Sequence, residues 1–345
     1  MHAFLTGATI RRISSFRATS LWVAALCLCL LLNAGNATAA AAIKLSNQFP
    51  PQHHVSKGLQ VFADKVKEYS NGEMEVKIFD SGSLFRDAEI VKAIRNGSTE
   101  IGLVPVNKWS GILPAVDIFE VPFTFTNLQS LEQFLNSGAA PLFDEAFAKY
   151  GAKVLFWVDY GYVQFFNSKR PLRAPADFNG LTMRAFSAGD AEILKALGAA
   201  PTIISSSELY MALQRGTIDG TTTGMPAAVA RKVTEVQKYM TLANYSTAEF
   251  LVQANQKWWN GLDNDQQEIL AKASQDAEAF IRQEVAKAED EALAAIRAAG
   301  LMVHELSSEE RRDFVQATAA LRDSYLAKSG ELGAKLMPIA DQLPK

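Results

Sequence analysis

"GLTMRAFSAGDAEILKALGAAPTIISSSELYMALQRGTIDG" occupies Gly180–Gly220, and its apolar residues alternate between two periods. Leu181–Phe186 reads as a short apolar strand and Asp190–Leu197 as a helix. Pro201–Ile204 is again strand-like, Ser206–Arg215 helical, and Thr217–Thr221 a strand. The order β-α-β-α-β is that of a parallel sheet covered by helices. Ser187 is a candidate N-cap for the first helix, and Ser205 with Glu208 has capping-box spacing before the second. One charged residue, Arg184, stands near the end of the first strand. A guanidinium keeps its proton and is rarely buried without a partner. Open α/β sheets bind ligands beyond the carboxyl ends of their strands, helix N-termini add free N–H donors, and an arginine fork matches a carboxylate. A structural ion pair with Asp190 or another carboxylate accounts for the placement equally well.

The same order recurs upstream. Ile43–Asn47 is a strand, and His54–Ser70 is a helix with Val55, Leu59, Phe62 and Val66 on one face. Met74–Phe79 is a strand, Asp87–Ile94 a helix ending at Asn96-Gly97, and Ile101–Val104 a strand. A loop containing Trp, Gly and Pro (Asn107–Pro122) leads to helices near Asn127–Ser137 and Ala140–Tyr150. Strands at Lys153–Val158 and Val163–Asn167 follow. Two separate open α/β sheets are expected, one before about residue 160 and one after it. From Asp263 to about Ala299 the chain is rich in Ala, Glu and Gln with few breakers, which predicts one long helix able to brace two domains.

Composition narrows the function. The 345 residues are 48% hydrophobic and 21% charged, an ordinary globular balance. The first 39 differ. Arg11, Arg12 and Arg17 precede an apolar run, Leu21–Leu32, and then small residues ending in Ala37-Thr38-Ala39. This is the pattern of a secretory signal peptide, too short in its apolar part to span a bilayer. The surroundings of Arg11-Arg12 favour general secretion over twin-arginine export. Cys27 and Cys29 lie inside it, so a processed chain has no cysteine; disulfides, thiolate nucleophiles and Cys-held zinc are excluded. The removed segment holds three arginines and no acids, so the net charge falls from −3 to −6. An acidic surface argues against nucleic acid and anionic lipid as partners. An anionic ligand must then be held by a specific local cation.

No chemistry of catalysis stands out. His53 and His54 are adjacent and cannot share a helix face as metal ligands, and His304 lies in an apolar strand. H-E-x-x-H, G-x-S-x-G, the phosphate-binding Gly-rich loop and G-x-G-x-x-G are all absent. No catalytic residue, metal or cofactor is therefore expected. A secreted α/β enzyme acting on a small acid, and a ligand-binding partner of a signalling receptor, are two readings that the residues leave open.

The Gly180–Gly220 segment resembles the solute receptors of TRAP (tripartite ATP-independent periplasmic) transporters. Their pattern G-L-K-[IL]-R, A-L-G-A-x-P, S-E-x-Y-x-A-L-Q-x-G-x-[VI]-D-G is met by Gly180, Leu181, Arg184, Ala196–Ala199, Pro201, Ser207, Glu208, Tyr210, Ala212–Gln214, Gly216, Ile218, Asp219 and Gly220. Weaker likeness covers "NGEMEVKIFDSGSLF", "EVQKYMTLANY" and "NQKWWNGL". The resemblance implies a two-domain α/β binding protein with crossing strands and a long bracing helix. Domain I would comprise residues 40–160 with about 248–288, and domain II residues 161–247 with about 289–345. It implies a periplasmic monomer that takes a small carboxylate, a sugar acid such as a uronate or aldonate or another small organic acid, to membrane permease subunits. It assigns the carboxylate to Arg184. Three positions depart from the family. Gly161-Tyr162 is followed by Val163 and Gln164 where a second arginine is usual. Thr223 replaces an asparagine, and Phe186 a proline. Recognition then rests more on neutral groups, with Gln164, Thr223, Asn107, Trp109, Phe186, Phe49 and His53 as candidates.

Overall fold

Punctuation by Gly, Pro and capping residues divides the chain into short elements. The structure is a computed structural model that describes residues 42–125 and 127–343. The expected signal peptide lies outside them. The first unit runs β1 (Ile43–Ser46), α1 (His54–Tyr69), β2 (Val76–Phe79), α2 (Ile90–Asn96) and β3 (Ile101–Pro105). After α3 (Leu128–Phe134) and α4 (Ala140–Lys149) comes the long β4 (Ala152–Asn167). The second unit is β5 (Thr182–Ala185), α5 (Ala188–Ala196), β6 (Ala200–Ile203), α6 (Leu209–Gln214) and β7 (Gly220–Gly224). Then follow α7 (Met225–Ala230), the long β8 (Tyr239–Asn255), α8 (Gln256–Asn260), α9 (Asn264–Ala298) and β9 (Met302–Glu305). The chain closes with α10 (Ser308–Thr318), α11 (Ala320–Lys328) and α12 (Gly330–Asp341).

Both expected parallel sets form: β1 pairs parallel with β2 and β3, and β5 with β6 and β7. They are not separate sheets. The strand order is β2-β1-β3-β8-β4-β7-β5-β6, with β9 added to β8. The two segments expected as independent strands, at 153–158 and 163–167, are one strand, β4. It runs antiparallel to β8 from Ala152↔Asn255 to Asn167↔Tyr239. The carboxyl-terminal part of β8 also holds β3, its amino-terminal part holds β9, and Val163–Asn167 of β4 holds β7. Each long strand therefore serves two α/β lobes. The ladder slips between Asp159 and Tyr162. Gly161 makes this possible with φ 107°, a conformation that costs side-chain-bearing residues.

The long helix forms as expected. Asp263 caps α9 and Gln266 completes the capping box. Its 35 residues extend about 52 Å at ~1.5 Å each. The buried positions Leu270, Ala273, Ala277, Ile281, Val285, Ala292 and Ile296 form one stripe. Leu270–Ile281 share a core with Val55, Leu59, Phe62 and Val66 of α1, where Gly58 leaves room for Ile281. Ala292 and Ile296 join Met225 and Ala228 of α7 in another core. Tyr325, Leu336, Met337 and Ala340, grouped on sequence with the second domain, pack instead with Val116, Phe119 and Trp109 of the first lobe.

Charged groups gather where the long strands cross, Asp159 and Glu289 buried and Arg282 half-buried. Arg282 of α9 donates to Asp159 (3.2 Å), Glu132 (3.2 Å) and Glu278 (2.9 Å). Further along α9, Glu289 meets Gly161, whose missing Cβ leaves space for the carboxyl group. Burial pushes the Glu289 carboxyl up to about 8, opposed by the Tyr162 main-chain N–H.

Candidate functional site

The loops at the carboxyl ends of β1, β3, β5 and β7 converge on one cavity between the lobes, with Tyr160, Val163, Ala248 and Phe250 of the crossing strands as its floor. Its volume, including the open mouth, is about 400 Å³. Arg184 reaches it from β5 and is 2% exposed. Its Nε donates to the Ile204 carbonyl (2.9 Å), Nη1 to the Thr222 carbonyl (3.1 Å) and Nη2 to Ser206 Oγ (3.0 Å). Three of its five N–H groups are thereby fixed by neutral acceptors, and one on each terminal nitrogen is left. The ion pair with Asp190 does not form. Asp190 instead accepts from Tyr245 OH (2.7 Å), the Phe186 N–H (3.2 Å) and Thr222 Oγ1. Burial lowers the Arg184 pKa to about 10, with Asp87 opposing the shift. The group stays charged at neutral pH.

Asp87, Lys108, Tyr160 and Arg231 are among the lining residues that sequence reasoning did not single out. Lys108 donates to the Phe186 carbonyl (2.7 Å) and lies 3.7 Å from Asp87. Asp87 also accepts from Ser205 Oγ and from the Ser206 N–H (3.4 Å). Burial works against ionisation of Asp87, but Lys108 and Ser205 outweigh it and hold its pKa below the usual value. Lys108 is pulled below its ordinary pKa by burial, with Asp87 resisting. Tyr160 OH donates to or accepts from Thr223 Oγ1 (3.1 Å) and accepts from the Gly224 N–H (2.8 Å). Asp87 and Lys108 follow strand-end turns, where ligand-contacting residues concentrate. Arg231, just past α7, carried no pattern that marks a site.

Of the eight expected contacts, Arg184, Phe186, Thr223, Asn107 and Phe49 line this cavity. His53 stands behind Phe49, stacked at 4.0 Å, with Nδ1 accepting the Val55 N–H. Gln164 and Trp109 are elsewhere. The Gln164 Oε1 accepts the main-chain N–H groups of Ala243 (2.8 Å) and Asn244 (3.1 Å), so its amide is consumed in holding an irregular part of β8. Trp109 is fully buried against Phe147, and its indole N–H donates to Gln253 Oε1 (3.0 Å). Ser187 caps α5 by accepting the Asp190 N–H (2.9 Å). The Ser205–Glu208 capping box does not form: Ser205 Oγ is drawn to Asp87 and the Glu208 carboxylate to Arg86 (3.1 Å). Among the described residues, the amide oxygens of Asn107 and Gln48 are buried without a hydrogen-bond partner at this cavity. No group of three or more His, Asp or Glu is placed to hold a metal among the described residues.

Comparison with known proteins places this geometry in context. The model of DctP, described as bacterial extracellular solute-binding protein, family 7, matches residues 45–329. A C4-dicarboxylate-binding periplasmic protein of Rhodobacter capsulatus is 31% identical over 84% of this chain and 87% of its own length. The 2,3-diketo-L-gulonate-binding periplasmic protein of Escherichia coli K12 is 26% identical over 86% and 90%. The crystal structure of a sugar acid binding protein from Advenella mimigardefordensis in complex with galactonate superposes with a TM-score of 0.85. It is 26% identical, over 88% of this chain and 98% of that one.

Proposed function

This chain belongs to family 7 of the bacterial extracellular solute-binding proteins, and on that premise we propose that it captures a small carboxylate between its lobes for the permease subunits of a TRAP transporter. The observation that carries the reading is Arg184: a buried, charged guanidinium held by three neutral acceptors, with two N–H groups left beside a cavity. That arrangement is preorganised for a two-pronged grip on a carboxylate. The unpartnered amide oxygens of Asn107 and Gln48 are acceptors that ligand hydroxyls satisfy, which supports a hydroxylated acid such as an aldonate or uronate. The aromatic faces of Phe49, Tyr160, Phe186 and Phe250 suit its carbon skeleton.

The mature protein, cleaved after Ala39, works in the periplasm as a monomer. The bodies that close are residues 40–160 with about 248–288, and 161–247 with about 289–319. Residues 320–343 travel with the first. Closure takes the ion pair out of water, where it is stronger.

A thermal-shift screen of sugar acids and small organic acids tests this; a ligand at ~100 times its Kd adds about 2.7 kcal/mol. Truncating one partner of a buried charge pair costs about 2–5 kcal/mol. Arg184→Ala should therefore weaken binding by roughly 30-fold to several thousand-fold in calorimetry, and Arg184→Lys should recover little. A loss below about threefold (well under 1 kcal/mol) refutes the assignment.

A further inference from the structure

The family's usual second arginine is replaced at Gly161–Gln164, yet the cavity holds a second guanidinium. Arg231 reaches it from the segment after α7, in the second lobe. Its guanidinium lies over the Phe49 ring, 4.7 Å from the centroid, and its Nη2 is 3.4 Å from the Gln48 carbonyl it donates to. Gln48 and Phe49 belong to the β1–α1 loop of the first lobe. Arg231 therefore touches both sides of the cleft.

Burial lowers the Arg231 pKa, and Tyr160 and Asp87 support its charge from nearby without a direct ion pair. Among the described residues neither Arg184 nor Arg231 has a carboxylate within ion-pair distance. The two nearby acids are engaged elsewhere: Asp87 with Lys108, Ser205 and Ser206, and Asp190 with Tyr245, Thr222 and the Phe186 N–H. Lys108 and Asp87 compensate one another, so two guanidinium charges remain at one cavity. A buried charge is costly unless paired, and a cation over an aromatic face recovers only part of that. An anion in the cavity supplies the rest.

We propose that Arg231 is the second anion-holding cation of this site, supplied from outside the crossing strand, and that it couples ligand charge to closure by bridging to Phe49 and Gln48 of the opposite lobe. The inference rests on the carboxylate reading above. A carboxylate in the cavity balances the Arg231 charge and so favours the arrangement seen here, with the guanidinium over the Phe49 ring. Without it, closure would bury two like charges together.

The experiment measures Kd for succinate, D-galactonate and pyroglutamate with the wild type, Arg231→Gln, Arg231→Lys and Arg184→Ala. Ligand-free melting temperatures are recorded alongside. For every acid that the wild type binds, Arg231→Gln should weaken binding at least tenfold with its ligand-free melting temperature unchanged or raised. Arg231→Lys should stay within about fivefold, because it keeps the charge. A Gln variant within threefold of wild type, while Arg184→Ala loses binding, overturns the role of Arg231 and leaves the carboxylate reading intact. Equal losses in the Gln and Lys variants also overturn it, since the effect would then be shape and not charge. A wild type that answers none of the three acids, or an Arg184→Ala protein that binds them normally, counts against the carboxylate reading and this inference together.

Discussion

Glu289→Gln should stabilise the ligand-free protein, and the gain should grow with pH. The carboxyl group lies under the crossing strands against Gly161. Burial is the main cause of its raised pKa, about 8 against an ordinary 4.5; Asp290 adds to the rise and the Tyr162 N–H opposes it. Folded chains thus keep this proton at neutral pH and unfolded chains release it. Because the unfolded state binds fewer protons, stability falls as pH rises. The contribution is fully present below the unfolded value of 4.5 and is lost through about 8. At about 1.4 kcal/mol per pH unit, the loss is about 3 kcal/mol at pH 7 and about 4–5 kcal/mol above pH 8. Gln has nearly the same shape and no proton to lose. The stability of the variant minus that of the wild type should therefore be near zero at pH 4.5 and about 3 kcal/mol at pH 7. Urea unfolding at pH 4.5, 6, 7 and 8 reads this difference directly, and other buried acids such as Glu120 and Glu249 cancel in the subtraction. A difference that stays flat across that range, or a wild type more stable than the variant at pH 8, would refute the reasoning.

Gly161→Ala should destabilise by about 3 kcal/mol or more, since it combines a left-handed backbone with a methyl overlapping the Glu289 carboxyl group; adding Glu289→Ala should recover part of that in chemical unfolding. Trp109→Phe and Gln164→Ala should each cost about 1–3 kcal/mol through unpaired buried groups while leaving the affinity for a bound acid within about twofold in calorimetry; a tenfold loss of affinity would return these residues to the site. Small-angle scattering should show a smaller radius of gyration when a bound acid saturates the protein, and an unchanged radius counts against a closing cleft.

Local signals were read well and distant ones poorly. The cap at Ser187, the long helix α9 and the β-α-β order all depend on neighbours within a few residues, so periodicity and spacing expose them. The placement of Arg184 at the cavity is legible because strand end, helix start and motif coincide within a dozen positions. The single sheet was not, because the pairing of β4 with β8 joins segments separated by the whole second parallel unit. Alternation says which residues share a face but not which face looks into the cleft. Gln164 is turned toward the main chain at 243–244, and Trp109 toward Gln253, 144 residues later. Arg231 follows a short helix in which nothing marks the last side chain as reaching a first-lobe loop. The failed Ser205 cap has the same origin: Asp87, 118 residues earlier, takes the hydroxyl that local spacing assigned to the helix.

The place of β8 in the sheet has a consequence for biosynthesis. It separates β3 from β4, although it is made after β7. A growing chain that has released β1 to β4 has no strand to join them. The apolar face of α1 also waits for Leu270–Ile281 of α9, later still. The first lobe cannot be finished before β8 and α9 are made, so its loop closure is long-ranged, which slows folding. In a nascent polypeptide of this order, the first parallel unit should gain its full set of partners only after most of the chain has been synthesised.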